Sequence, residues 1–111
     1  PVLVWVHGGA YVTGAGDAEI YDPHTLVDEQ HIIVVSVTYR LGVLGYLGQG
    51  RPEHSNLGLL DQISALRWVQ RNIAAFGGAP DNVTLAGQSA GADACAHLMI
   101  AEATDGLFSR V

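Results

Sequence analysis

Ser89 lies within Gly87-Gln88-Ser89-Ala90-Gly91, a G-x-S-x-G pattern. A serine hydroxyl is a weak nucleophile, and it does acyl chemistry only when held clear of its neighbours and presented to a base. A sharp strand-to-helix turn achieves this by holding the serine in a strained backbone conformation. The glycines on either side are needed because side chains there would strike the adjacent strand and helix. The flanking sequence fits such a turn, with an apolar run at residues 83–86 before it and an alanine-rich stretch after it. The competing reading is a glycine-bounded turn with an idle serine.

A second group, His7-Gly8-Gly9-Ala10, follows the apolar run Val2-Leu3-Val4-Trp5-Val6. Attack on an acyl carbonyl builds negative charge on oxygen, which must meet preorganised backbone N–H donors. A glycine-rich turn at a strand end lets its amides point at one spot. A third donor would be the amide of Ala90, at the start of the helix after Ser89, where the helix dipole also favours negative charge. On its own, a strand followed by Gly-Gly is usually only a turn. Coupled to the serine elbow, it reads as a site for an oxyanion.

A serine of this kind needs a histidine base and an acid that orients it. After Ser89 the one histidine is His97, and the acids are Asp93, Glu102 and Asp105. His97 is eight residues further along the same predicted helix, ~12 Å away at a rise of 1.5 Å per residue, and cannot reach the serine oxygen. His24, His31 and His54 fall on loops or a strand entrance and read as surface or packing residues, and His7 reads as a structural hydrogen-bonder. The five histidines lack metal-ligand spacing, so neither a metal nor a cofactor is expected. The base and acid are expected beyond Val111.

Composition narrows the function classes. Of the 111 residues, 49% are hydrophobic and 14% charged, which fits a soluble α/β core. The net charge is −6, and the five basic residues are arginines at 40, 51, 67, 71 and 110, too scattered to form a phosphate-binding stripe. Nucleic acid is therefore not an expected partner. No apolar run approaches the ~20 residues of a membrane span. Cys95, the lone cysteine, cannot form an internal disulfide and reads as a small buried helix residue. Neither redox compartment nor cellular location is fixed by these residues.

The elements that must position these groups are legible. Residues 2–6, 32–37 and 83–86 are nearly continuous apolar runs, as in parallel strands covered on both faces. Between the second and third, Leu59, Ile63, Leu66, Val69 and Ile73 recur at helical spacing, with Asn56 as N-cap and closure at Phe76-Gly77-Gly78-Ala79-Pro80. A second helix is predicted over Ala90–Ile100, and one or two helical turns over 23–29. Residues 42–55 read as a long loop with glycine at 42, 45, 48 and 50 and Pro52. Strand–helix alternation predicts βαβ units with right-handed crossovers. The chain opens directly in a strand, and Leu107-Phe108-Ser109-Arg110-Val111 reads as the entry to another. Three strands with so few helices cannot cover both faces of a sheet, so the chain reads as part of a larger domain.

Taken together, these segments resemble a known family. Val4-Trp5-Val6-His7-Gly8-Gly9-Ala10, Thr38-Tyr39-Arg40-Leu41-Gly42, Asn56-Leu57-Gly58-Leu59-Leu60-Asp61-Gln62 and the stretch from Phe76 to Gly91 resemble type-B carboxylesterases, the carboxylesterase/cholinesterase family, in order and spacing. Hormone-sensitive-lipase-like esterases share the glycine run and the G-x-S-x-G. In them, however, Tyr-Arg-Leu usually continues Ala-Pro, whereas here it continues Gly42-Val43-Leu44-Gly45. The resemblance implies a fragment of an α/β-hydrolase fold, with a mostly parallel sheet and helices on both faces. It implies Ser89 as nucleophile and the amides of Gly9, Ala10 and Ala90 as oxyanion hole, with Gly8 giving the loop its bend. It further implies a structural ion pair between Arg40 and Asp61.

The implied activity is hydrolysis of a small-molecule carboxylic ester through an acyl-serine intermediate, with the 111-residue chain alone inactive. Two departures stand out. Gln88 replaces the glutamate that many members carry, which favours neutral over cationic esters, and Ala10 replaces a third glycine at little expected cost. The main alternative is a non-catalytic, cholinesterase-like binding or adhesion protein. A protease or thioesterase on the same fold is a third.

Overall fold

Three apolar pentapeptides form the sheet of the computed structural model, which describes residues 1–48, 50 and 55–111. They are β1 (Val2–Val6), β2 (Ile33–Val37) and β3 (Val83–Gly87). All pair in parallel in the order β2-β1-β3. Val2 stands opposite Ile33 and Val83, and Val6 opposite Val37 and Gly87. The three C-terminal ends are therefore level, and the segments after Val6 and Gly87 leave the sheet side by side.

The helices are α1 (His24–Gln30), α2 (Gly42–Tyr46), α3 (Leu57–Asn72) and α4 (Ala90–Ile100). The chain passes from β1 outward to β2, then back across the sheet to β3. Right-handed crossovers in these opposite directions put α1 and α3 on opposite faces. Beyond β3, Thr84 forms a parallel bridge to Arg110, and the Ser109 and Leu85 amides donate to the Val83 and Arg110 carbonyls at 2.9 Å each. The expected strand entry near Val111 is thus present. Connections leaving β1 and β3 diverge, and a parallel sheet opens a crevice at the carboxyl ends of such a pair.

One sheet face carries the core. Val2, Val4, Val6, Val83 and Leu85 are at most 1% exposed and form one cluster with Ile63, Leu66, Val69 and Ile73 of the α3 stripe and with Ala94, Cys95 and Leu98 of α4. Burying a Val or Leu side chain contributes about 1.5–3 kcal/mol, which makes this stripe the main anchor of the sheet. The small residues Ala94 and Cys95 let α4 settle close to the strands. The opposite face is less covered. Leu3, Trp5 and Val34 are only half-buried, and the seven-residue α1 has no buried residue of its own. Trp5 leans on Tyr21, with ring centroids 5.5 Å apart.

Two local expectations need correction. Residues 42–46 form α2 rather than loop, a helix that begins where Gly42 takes φ 58 and the Leu41 carbonyl accepts the Gly45 amide at 3.1 Å. Asn56 does precede α3, but its side chain makes no cap. Its backbone is left-handed (φ 54, ψ 40), a conformation asparagine tolerates better than most residues, and its carbonyl accepts the Leu60 amide at 3.0 Å. α3 ends through a 3-10 turn at Ile73–Phe76 and a left-handed Gly77 (φ 84), as the glycine pair predicts. His54, Arg51 and Pro52, named from sequence, lie outside the described residues. Among the described residues, no helix is long and apolar enough to cross a membrane.

Candidate active site

Ser89 occupies the turn between β3 and α4 with φ 56 and ψ −123. A non-glycine residue in so sparsely populated a region costs about 1–3 kcal/mol and persists only when its surroundings over-determine it. Here the glycines do so. A β-carbon on Gly87 would lie 2.5 Å from the Gly91 carbonyl carbon and oxygen. One on Gly91 would run into the Val6 carbonyl oxygen and come within 2.8 Å of the His7 carbonyl oxygen. α4 thus starts directly against the end of β1. The Gly91 amide donates to the Gln88 carbonyl at 2.9 Å and the Asp93 amide to the Ser89 carbonyl at 3.0 Å, leaving the Ser89 side chain exposed at the head of the helix.

The glycine loop after β1 closes on the same turn. A β-carbon on Gly8 would sit 2.7 Å from the Gln88 carbonyl oxygen and 3.1 Å from the Ser89 β-carbon. No residue but glycine brings the loop this near the serine. Gly9 has φ 121, and its carbonyl accepts the Val12 and Thr13 amides at 3.0 Å each. Ala10 and Tyr11 are then both left-handed, at φ 53 and φ 64. The expectation that alanine costs little at position 10 is therefore corrected: a β-carbon at that φ adds about 1–2 kcal/mol of strain. Among the described residues, the amides of Gly9, Ala10 and Ala90 donate to no protein acceptor. Free N–H groups at a helix start and in a glycine loop are the kind of donor that anion sites use.

His7 supports this loop from below. It is fully buried, its Nδ1 is 2.7 Å from the Gly8 carbonyl oxygen, and its ring stacks on Tyr39 at 4.5 Å. The Tyr39 hydroxyl donates to the His7 carbonyl at 2.7 Å, and burial raises its pKa, keeping it a donor. The structural role read for His7 agrees with this packing. Arg40 and Asp61 also meet as the resemblance implies. Arg40 donates Nε and Nη2 to the two carboxylate oxygens at 2.8 and 2.7 Å, and its own amide donates at 3.0 Å. The Arg40 side-chain hydrogen bond holds the Asp61 carboxyl below its ordinary pKa.

The remaining sequence candidates are not gathered at Ser89. His97 lies two turns along α4 and faces Asp93, Nε2 to Oδ2 at 3.6 Å. His24 pairs with Asp28 at 3.5 Å on α1, and His31 is the exposed residue ending that helix. Glu102 and Asp105 are exposed beyond α4. Sequence reasoning missed Tyr11, whose hydroxyl donates to Asp93 Oδ2 at 2.5 Å and whose ring meets Tyr46 edge-on at 4.8 Å. These residues, with His97, Asn56 and Leu59, line a cavity of about 250 Å³ whose lining does not include Ser89.

A profile of the carboxylesterase family matches residues 1–111. Among curated proteins, the chain is 56% identical over 110 residues to a probable N-octanoylanthranilate hydrolase of Rhodococcus erythropolis, covering 99% of this chain and 24% of that protein. It is 49% identical over 113 residues to the para-nitrobenzyl esterase of Bacillus subtilis strain 168, covering 99% of this chain and 23% of the relative. The chain thus spans about a quarter of the length of the curated relatives it matches. Among solved structures, a Geobacillus stearothermophilus carboxylesterase superposes with TM-score 0.94 at 45% identity, over 99% of this chain and 25% of that one. A thermophilic PNB esterase superposes with TM-score 0.93 at 50% identity, over 97% and 23%.

Proposed function

This chain belongs to the carboxylesterase family and has the α/β-hydrolase architecture, and from that premise we propose that it supplies the nucleophile and oxyanion hole of a serine-dependent carboxylic ester hydrolase. One observation carries the reading. The Gly8 backbone approaches so closely that a β-carbon there would touch Ser89, while the three nearby amides have no protein acceptor.

In the proposed reaction, Ser89 Oγ attacks the ester carbonyl carbon as its proton passes to a histidine. The carbonyl electrons move onto oxygen, which accepts hydrogen bonds from the amides of Gly9, Ala10 and Ala90. Losing one such donor typically costs about 10²–10³ in kcat, so these amides matter as much as the hydroxyl's position. Collapse of the tetrahedral intermediate breaks the bond to the alcohol, which leaves with the histidine's proton, and water then releases the acid from Ser89.

The histidine and its acid are assigned to a segment outside these 111 residues. The support is that His7 is locked in packing and His97 is two turns from the serine. The short span of the relatives covered by this chain agrees with that assignment. Gln88, beside Gly8, brings no charge to the site, which supports neutral rather than cationic esters as substrates.

The test is p-nitrophenyl ester turnover by the full-length protein and its S89A variant. Activity that drops to background in S89A supports the reading, and activity that survives overturns it. The 111-residue chain alone is expected to show no Ser89-dependent turnover.

A further inference from the structure

The oxyanion loop contains two consecutive non-glycine residues in left-handed backbone, Ala10 at φ 53 and Tyr11 at φ 64. Such a pair does not hold its shape unaided, and the angle of the Ala10 amide depends on it. Four sets of contacts hold the pair. The Gly9 carbonyl takes two amides from the following turn, and the Tyr11 carbonyl accepts the Gly42 amide at 2.6 Å. The Tyr11 ring packs on Tyr46, and the Tyr11 hydroxyl donates to Asp93. The first three hold the loop to itself and to α2. Only the last reaches α4, the helix that carries Ser89.

Resting on the esterase reading above, we infer that Tyr11 and Asp93 are positioning residues. Their side-chain hydrogen bond braces the oxyanion loop against the helix of the nucleophile. Asp93 suits the role because its own amide donates to the Ser89 carbonyl at 3.0 Å. A path of three links therefore runs from the Ala10 amide through Tyr11 and Asp93 to Ser89. The bond joins residues 82 positions apart in sequence, so it fixes a relationship that neither local turn can fix alone. Burial first, then the hydrogen bond and charge of Asp93, raise the Tyr11 pKa, so the hydroxyl remains a donor throughout the working range of an esterase. His97 faces the same Oδ2 oxygen of Asp93 at 3.6 Å.

A brace acts on the transition state, where the amide angle matters, and hardly on ground-state binding. The test measures kcat and KM for a neutral p-nitrophenyl ester in the full-length protein and in Y11F, D93A, D93N and Y11F/D93A, with thermal unfolding midpoints alongside. Y11F keeps the ring against Tyr46, and Asn at 93 keeps an acceptor for the hydroxyl. Loss of one hydrogen bond to a charged acceptor predicts a fall in kcat of about tenfold for Y11F and D93A, with KM moving less than about twofold.

D93N should keep kcat within about threefold of the parent, and the double variant should be no worse than either single one. A merely structural role would lower the unfolding midpoint and leave kcat of the folded protein near that of the parent. Undiminished kcat in Y11F, losses confined to KM, failure of D93N to rescue, or additive losses would each overturn the inference. Turnover that survives S89A would overturn the esterase reading instead, and this inference with it. Turnover lost in S89A but untouched in Y11F would overturn the brace alone.

Discussion

Replacing Gly91 by alanine sets two effects of opposite sign against each other. Gly91 is the second residue of α4 and has ordinary helical backbone, so helix propensity alone favours alanine by about 1 kcal/mol. The added β-carbon, however, would overlap the Val6 carbonyl oxygen and sit 2.8 Å from that of His7. Both are backbone atoms at the end of the central strand, and no side-chain rotation can move them aside. Overpacking costs typically about 1–3 kcal/mol, and an obstacle made of backbone belongs at the upper end or above it. The clash therefore wins, with a net loss of about 2 kcal/mol.

The strain must be relieved by moving α4 away from β1, which carries Ser89 and the Ala90 amide away from Gly9 and Ala10. A shift of about 1 Å at a catalytic centre can cost about 10²-fold in rate. Urea unfolding and ester turnover of full-length G91A should thus show a lower midpoint and a kcat reduced by one to two orders of magnitude. An alanine variant as stable as the parent or more so, with unchanged kcat, would show that propensity dominates and that the close approach of α4 to β1 is not real.

Other consequences follow from the same geometry. Ala10→Gly removes a β-carbon from left-handed backbone, worth about 1–2 kcal/mol, against about 0.5–1 kcal/mol of added chain entropy. Its unfolding midpoint should stay level or rise with kcat retained, and a clear fall would contradict the strain assigned to Ala10. Asp61→Asn should lower the midpoint at neutral pH by breaking the bidentate contact with Arg40. Because Arg40 depresses the folded pKa of Asp61, the contact's contribution is present above the ordinary carboxylate pKa and is lost as pH falls through the depressed one. The difference between parent and D61N should shrink on acidification, and a difference that grows would refute the pairing. Cys95 is 3% exposed, and burial pushes its thiol up to about 11. A disulfide reagent should leave it unmodified in the native protein and react on unfolding, whereas rapid native labelling would mean that α4 is not seated on the core.

Much of this arrangement was legible in the sequence because it is written locally. The strands are contiguous apolar runs, the α3 stripe has helical period, and each glycine of the elbow answers to a neighbour within a few residues or at the adjoining strand end. Arg40 and Asp61 came from the resemblance alone, since no local signal pairs residues 21 apart. Three features escaped for physical reasons. α2 lies in a glycine-rich segment whose propensity argues against helix. Asn56 carries the composition of a cap while its backbone, not its side chain, does the work. The Tyr11–Asp93 bond depends on tertiary closure, and a tyrosine after a glycine loop says nothing about an aspartate one turn into a helix far along the chain.

The central claim is that Ser89 is the acylated residue and that its oxyanion hole is formed by this chain. Incubating the full-length protein with an organophosphonate and mapping the adduct by peptide mass spectrometry tests it most directly. The account predicts one adduct per chain on the peptide containing Ser89, formed in step with loss of esterase activity and absent from S89A. An adduct on another residue, or inactivation that leaves Ser89 unmodified, would contradict it.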